Sequence, residues 1–112
     1  MSDRLRVRDR IANTLDQWTQ YRIEAPEEAT GTFVVVVFLG TEFSSFEPQA
    51  QGAANIQNWI IECHDKTTAK ANALADAVEY LLAQNGFRTY REGEAKQAEG
   101  RFAATVAIQR TV

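Results

Sequence analysis

The run TFVVVVFL, Thr32 to Leu39, restricts the fold of this chain more than any other stretch of the sequence. Its β-branched residues favour a strand. Because successive side chains of a strand point to opposite faces, a strand that is apolar at every position needs cover on both faces. We therefore expect either a central strand of a sheet or a strand whose second face meets another subunit.

The rest of the sequence predicts an α+β fold in a single domain, residues 1–112. We expect an N-terminal helix followed by the order β-β-α-β-β, with a four-stranded mixed sheet and one long helix packed on one face. Apolar spacing gives the approximate limits of the other elements: a helix over about residues 3–22, a strand over about 56–63, a helix over about 67–85 and a C-terminal hairpin over about 87–112.

Local patterns support two of these elements. Trp59, Ile61 and Cys63 alternate onto one face of the second strand, so that face belongs to the core. The second helix should stop at Gly86, which suits a left-handed position, with Phe87 touching the last turn as in a Schellman motif.

Residues 40–55, GTEFSSFEPQAQGAAN, form the longest stretch without a regular pattern. Connections of this length within a compact domain are uncommon and are usually functional or disordered. Phe43 and Phe46 have no periodic apolar partners nearby. Either they fold back onto the core, or they contact another chain, or they are isolated exposed side chains of the ordinary kind.

Charge is distributed unevenly along the chain, whose net charge is -3. No Lys or Arg occurs from Ile23 to Asp65, where seven acidic residues fall. This separation indicates surfaces that face different partners, or else a solvated acidic face. Nucleic-acid binding is disfavoured because it needs a dominant basic face. The predicted first helix instead carries four arginines: Arg4, Arg6, Arg8 and Arg10.

Membrane insertion is not expected. The longest apolar run, Phe33 to Leu39, is too short to span a bilayer, and the sequence opens with arginines rather than a signal segment. A single cysteine cannot form an internal disulfide. We expect a soluble protein that is synthesised in a reducing cytoplasm.

Cys63, His64 and Asp65 stand side by side and superficially resemble a nucleophile, a base and an orienting carboxylate. On a strand, however, residues 63 and 64 point to opposite faces, and a thiol buried beside apolar residues is inert. Asp65 is a candidate helix cap, with Thr67 as its competitor. The sequence predicts no catalytic residue, no cofactor-binding residue and no metal ligand.

The segment WIIECHDKTTAKANALADAVEYLL, residues 59–82, resembles the tail terminator or tail-completion proteins of long-tailed bacteriophages. The order of elements is also similar: an N-terminal helix, a β-hairpin, an alanine-rich helix and a closing pair of strands. Residues 40–55 resemble the hairpin arm that such proteins place against neighbouring subunits.

The resemblance implies a non-enzymatic virion protein. It would form a ring, a hexamer in this family, that caps the tail tube, ends tube growth and presents a surface to the head-completion or neck protein. DNA would pass through the lumen without specific binding. The residues proposed for protein interfaces are Phe43, Phe46, Glu42, Glu47, Arg6 and Arg10.

Two alternatives stay open. One is another head–tail connector of the phage neck, which would have a similar chain and a different neighbour. The other is a small dimeric α+β domain that binds a ligand or acts as an enzyme, with a pocket beneath residues 40–55. Such a domain needs a concave site with convergent polar groups.

Overall fold

The computed structural model describes residues 3–43, 55–98 and 100–111. Within those ranges the chain forms two helices and six strands. In chain order they are α1 (Asp3–Thr14), β1 (Thr19–Arg22), β2 (Phe33–Phe43), β3 (Asn55–Asp65), α2 (Thr68–Gln84), β4 (Arg88–Arg91), β5 (Lys96–Ala98) and β6 (Arg101–Thr111).

The strands form one mixed sheet in the order β1-β2-β3-β6-β4, and β5 pairs with β6 beside β4. β1 runs parallel to β2, and all the other pairs are antiparallel. The predicted α+β class and the mixed sheet are confirmed. The predicted count of four strands is wrong, because the described residues contain two further short strands, β1 and β5, at the ends of the sheet.

The predicted continuation of the first helix to residue 22 is wrong, since α1 ends at Thr14. The side-chain amide of Gln20 donates to two carbonyl oxygens at the helix end, at 2.9 and 2.8 Å, and so satisfies groups that have no partner within the helix. Trp18 is apolar at the next helical position although it lies beyond the helix. Its side chain packs on the same core as α1, from the turn that follows.

Both helices pack on one face of the sheet. The inward residues of β3 are the ones that the alternation predicted, and Cys63 is fully buried among them. The buried cluster consists of Val7, Ile11 and Leu15 near α1; Leu74, Ala75, Val78 and Leu82 of α2; Phe87; and, from the sheet, Val34, Val36, Trp59, Ile61, Cys63, Ala104, Val106 and Ile108.

The opposite face of the sheet is covered over only part of its length. The connection between β1 and β2 lays Ala25 and Ala29 against Phe33 and Val35, which are both 1% exposed. The sequence left open whether the second face of β2 is covered by this chain or by another subunit. The chain itself covers the second face of β2 at its beginning, but the cover does not continue along the strand.

The hairpin of β2 and β3 is longer than predicted. The sequence suggested an irregular segment from Gly40, whereas the two strands stay paired as far as Phe43 and Asn55. A register shift just before Gly40 makes Leu39 the extra residue of a β-bulge. The prediction of irregular structure is therefore wrong for residues 40–43 and 55, and residues 44–54 lie outside the described residues.

The competition between two candidate caps for α2 is resolved in favour of Thr67. Its hydroxyl oxygen accepts a hydrogen bond from the backbone N–H of Lys70 at 3.1 Å. The Asp65 carboxylate instead accepts from the hydroxyl of Thr32 and the backbone N–H of Lys66, each at 2.7 Å. Asp65 thus ties the end of β3 to the start of β2.

The predicted Schellman motif at the end of α2 is confirmed. Gly86 has φ 88°, and its N–H donates to the Ala83 carbonyl oxygen at 3.3 Å. The Phe87 N–H donates to the Leu82 carbonyl oxygen at 3.1 Å. These two bonds satisfy helix-end carbonyls and turn the chain into β4.

Substituting Gly86→Ala should lower the free energy of unfolding by more than Gly93→Ala. Both glycines have positive φ, which costs a non-glycine residue about 1–2 kcal/mol. Only at Gly86 would the new Cβ meet a neighbour, the Arg110 guanidinium at 2.5 Å, and displace its 3.0 Å hydrogen bond to the Asn85 carbonyl. That bond adds about 1 kcal/mol. Denaturant titration measures both variants, and equal losses would contradict this role of Arg110.

Candidate interaction surface

The adjacent Cys63 and His64 do not form a catalytic pair. Cys63 lies on the helix-covered face of β3, whereas His64 lies on the other face, stacked on Phe33 with ring centroids 4.6 Å apart. The His64 Nε2 atom lies 3.1 Å from a carboxylate oxygen of Glu62, on the same face of the strand. The thiol is therefore separated from the imidazole by the sheet itself.

Burial raises the pKa of the Cys63 thiol from an ordinary 9.0 to about 12. A thiolate is the reactive form, so this environment suppresses nucleophilic chemistry. The described parts of the chain contain no group of three or more His, Cys, Asp or Glu side chains arranged to hold a metal ion. Among the described helices, none is long and apolar enough to cross a membrane.

We expect Cys63 in the folded chain to resist a thiol reagent near neutral pH and to react fully after denaturation. The proton is held more tightly in the folded state, so the thiol favours folding below pH 9.0 and loses that contribution as the pH rises toward about 12. Labelling followed by mass spectrometry measures this. Rapid reaction of the native chain would overturn the assignment of Cys63 to the core.

An apolar row crosses the face of the sheet opposite the helices and is exposed at its two ends. Its middle is covered in part, since Val37 and Ile60 are half-buried and Ala107 is buried. Val37, Ile60, Ala107 and Tyr90 lie side by side across β2, β3, β6 and β4, because each is in register with the next. Tyr90 is 49% exposed, and the bulge residue Leu39 beside the row is 60% exposed. We call these five residues the open-face row.

A shallow depression of about 380 Å³ adjoins the open-face row. Asn58 and Glu92 lie on its wall together with Tyr90. Thr41 adds a hydroxyl to this amide, carboxylate and phenol, but four polar groups around an open surface do not make the enclosed site that a small ligand requires. The depression is better suited to the side chains of another polypeptide.

The outer edge of β2 is open beyond Val36. β1 pairs with only the first four residues of β2, Phe33 to Val36. The Val36 carbonyl oxygen faces β1, since it accepts from the N–H of Ile23 at 3.3 Å. Alternate residues of a strand present their backbone groups to the same edge, so the N–H and C=O of Phe38 point to this open edge. Within the described ranges, no strand pairs with it there.

A groove of about 410 Å³ runs along this open edge, between α1 and β2. Its floor is apolar and its rim carries three arginines, one of which, Arg4, lies over the Phe38 ring at 5.5 Å. We call it the edge groove. Its lining residues are Arg4, Arg8, Arg22, Ile23, Val36, Val37, Phe38 and Trp59.

Strain at Ile23 ends β1 and thereby exposes the edge groove. Ile23 has φ 70°, and the Glu24 N–H donates to the Arg22 carbonyl oxygen at 2.7 Å, which closes a γ-turn of the rare positive-φ kind. A β-branched residue is an outlier in this region. The Ile23 side chain is nevertheless 78% exposed, so its burial within this chain does not offset the strain.

Four of the six predicted interface residues belong to the end of β2 or to the segment between β2 and β3. Glu42 lies on β2 and is exposed. Phe43 is the last residue of β2, but its side chain lies outside the described part of the structure. Phe46 and Glu47 also fall outside the described residues. Their roles at an interface remain predictions.

The other two predicted residues, Arg6 and Arg10, are exposed on the flank of α1 that faces the end of α2. The Arg10 Nε donates to the Asn85 carbonyl oxygen at 3.2 Å. Arg4 and Arg8 lie on the opposite flank and line the edge groove. The arginine-rich helix therefore presents two separate basic surfaces.

Sequence reasoning missed the edge groove and most of the open-face row. The groove was not predicted because the predicted first helix includes residues 19–22. A pattern of four residues also does not reveal a strand that pairs with only the start of β2. The apolar residues on both faces of β2 did indicate that its second face needs a partner. The sequence did not show how far the chain would supply that cover.

No protein-family model matches this chain, and the curated proteins contain no significant match to it.

Replacing Ile23 with Asn should raise the free energy of unfolding by about 1 kcal/mol, because Asn tolerates positive φ far better than a β-branched residue does. The Ile23→Val variant is the matched control. It keeps the β-branch and should show no gain. Thermal and denaturant unfolding measure both, and a loss of stability in Ile23→Asn would contradict the strain at this turn.

Proposed function

We propose that this chain is a non-enzymatic structural protein of a bacteriophage virion, which forms a ring that caps the tail tube and ends its growth. The observation that carries the proposal is the open-face row lying beside the open edge of β2. An apolar sheet face and an unpaired strand edge are surfaces that another polypeptide covers, by side-chain packing and by backbone hydrogen bonds.

The order of elements supports a tail terminator in particular. Apart from the short strands β1 and β5, an N-terminal helix, a long hairpin, an alanine-rich helix and closing strands follow one another as in the family that the sequence resembles. The molecule measures 50 × 28 × 24 Å along its principal axes. An elongated subunit with separate interaction surfaces is suited to meet one neighbour on each side, as a ring of identical subunits requires.

Charge supports a role beside DNA. Glu24, Glu27, Glu28 and Glu42 are exposed, in a part of the sequence that has no Lys or Arg. If these carboxylates line the lumen of a ring, they repel DNA phosphates over roughly 8 Å at physiological salt, so that DNA passes without binding. Such a lumen needs no sequence recognition.

The finer parts of the proposal are a hexameric ring, a tail-tube protein on one side and a head-completion or neck protein on the other. The flank of α1 that bears Arg6 and Arg10 is free to meet an acidic site on either partner. The protein would be synthesised in the host cytoplasm and reside in the virion, with no cofactor.

The proposal is tested by imaging the purified chain alone and with tail tubes of the virus that encodes it. We expect rings in free solution or on tube ends, and tubes that no longer elongate once capped. Binding to neck proteins without binding to tubes would assign the chain to another head–tail connector. A monomer that neither forms rings nor contacts either partner would refute a structural role in the virion.

Ile60→Glu combined with Tyr90→Glu should weaken self-association by about tenfold or more, because a buried interface would have to accept unpaired carboxylates and each tenfold corresponds to about 1.4 kcal/mol. The control is Tyr80→Glu, which changes a tyrosine of similar exposure on α2, away from the open-face row. Mass photometry measures the assembly, and equal behaviour of the two variants would contradict the role of the row.

A further inference from the structure

We propose that the edge groove of one copy is the receptor for residues 42–47, EFSSFE, of a second copy. This inference rests on the self-association proposed above and goes beyond it by naming both sides of one contact. The groove consists only of described residues. For residues 44–47 of the incoming segment, only the sequence and the chain length are used.

The backbone of the edge groove is suited to an added strand. β1 stops at Arg22 because Ile23 turns the chain away, and the backbone groups of Phe38 then face outward. An exposed strand edge binds an extended peptide through main-chain hydrogen bonds, and neighbouring side-chain pockets supply specificity. The strain at Ile23 is accounted for if it keeps β1 off this edge and offers its own side chain to the incoming strand.

The charge of the groove selects an acidic strand. Of the three rim arginines, Arg8 is the one that has a carboxylate partner among the described residues, Asp9 at 3.3 Å. Arg4 lies over Phe38 instead. A strand that enters the groove therefore meets uncompensated positive charge above an apolar floor, and carboxylates with an aromatic side chain complement both.

EFSSFE is the segment of this chain that combines these features. In an extended strand, alternate residues share a face. Glu42 then lies with Phe46, and Phe43 with Glu47, so either face offers one ring and one carboxylate. The acidic connection around Glu27 has no aromatic residue and already covers its own sheet. The acidic turn between β4 and β5, residues 92–95, has no aromatic residue and is followed directly by Lys96.

The segment cannot lie along the groove of its own copy. Phe38 and Phe43 pair with Trp59 and Asn55, which are four residues apart on β3, so the ends of this part of β2 lie about 13 Å apart along the strand. Phe46 is three residues beyond Phe43, and fully extended chain covers at most about 11 Å over that distance. Chain length alone therefore prevents Phe46 from reaching Phe38 of the same copy, so the proposed contact is one between two copies.

A peptide of residues 40–49, GTEFSSFEPQ, tests the contact without requiring a ring. We expect it to bind the full chain, with a change in tryptophan fluorescence because Trp59 lines the groove. Binding should weaken about tenfold or more in Arg4→Glu/Arg8→Glu. It should persist in Arg6→Glu/Arg10→Glu, which makes the same charge change on the opposite flank of α1. A peptide with both phenylalanines replaced by Ala should not bind.

A charge exchange tests the contact in the assembly. Arg4→Glu/Arg8→Glu and Glu42→Lys/Glu47→Lys should each fail to self-associate. A mixture of the two should assemble, because each groove then meets a segment of opposite charge. Glu24→Lys/Glu28→Lys is the control for the acidic side and should assemble alone. Circular dichroism of each variant establishes that it is folded.

The outcomes separate this inference from the proposed function. Rings that form equally well in both reversed variants, or a peptide that does not bind, would overturn the contact and leave the ring intact. Absence of any ring or tube binding by the wild-type chain would refute the proposed function, and peptide binding that depends on Arg4 and Arg8 would still establish the groove as a receptor. A mixture that does not assemble, although each single variant is impaired, would also count against this pairing.

Discussion

The register between β2 and β3 is the constraint on which the rest of this structure depends. It places Val34 and Val36 opposite Cys63 and Ile61, so that the inward residues of both strands meet the two helices. A shift of one residue would turn every one of these side chains to the other face. The Thr32 hydroxyl donates a hydrogen bond to the Asp65 carboxylate at one end of the pair, at 2.7 Å, and helps to hold that register.

The same pairing explains why one face of this sheet is only partly covered. β2 is apolar on both faces, and the chain supplies two helices for one face but only the short connection around Ala29 for the other. The cover thins beyond Val35: Val37 still packs against this cluster but is only half-buried, and Leu39 is 60% exposed. The bulge at Leu39 also falls in this region, and bulges redirect side chains at sheet edges. The partly covered face and the open edge of the sheet therefore both belong to β2.

The parts of the fold that rest on local physics were predictable, and the parts that rest on strand neighbours were not. The end of α2 was predictable because Gly86 and Phe87 satisfy helix carbonyls within a few residues of chain. The inward face of β3 was predictable from alternation. β1 was missed because Trp18 continues the helical spacing of Leu15, while the Gln20 contacts that end α1 leave no repeating pattern. The edge groove was missed for the same reason. It can be predicted only if one knows where β1 stops pairing with β2.

The arginine rim determines how an open edge of this kind can be used. Pairing of two identical β2 edges would bring Arg4, Arg8 and Arg22 of both copies together, and like charges at close range oppose such a contact. The symmetric dimer that exposed edges otherwise favour is therefore disfavoured. A contact between an edge and a different, acidic surface carries no such penalty. That contact is heterologous, and heterologous contacts repeat from copy to copy until they close into a ring or extend as a filament.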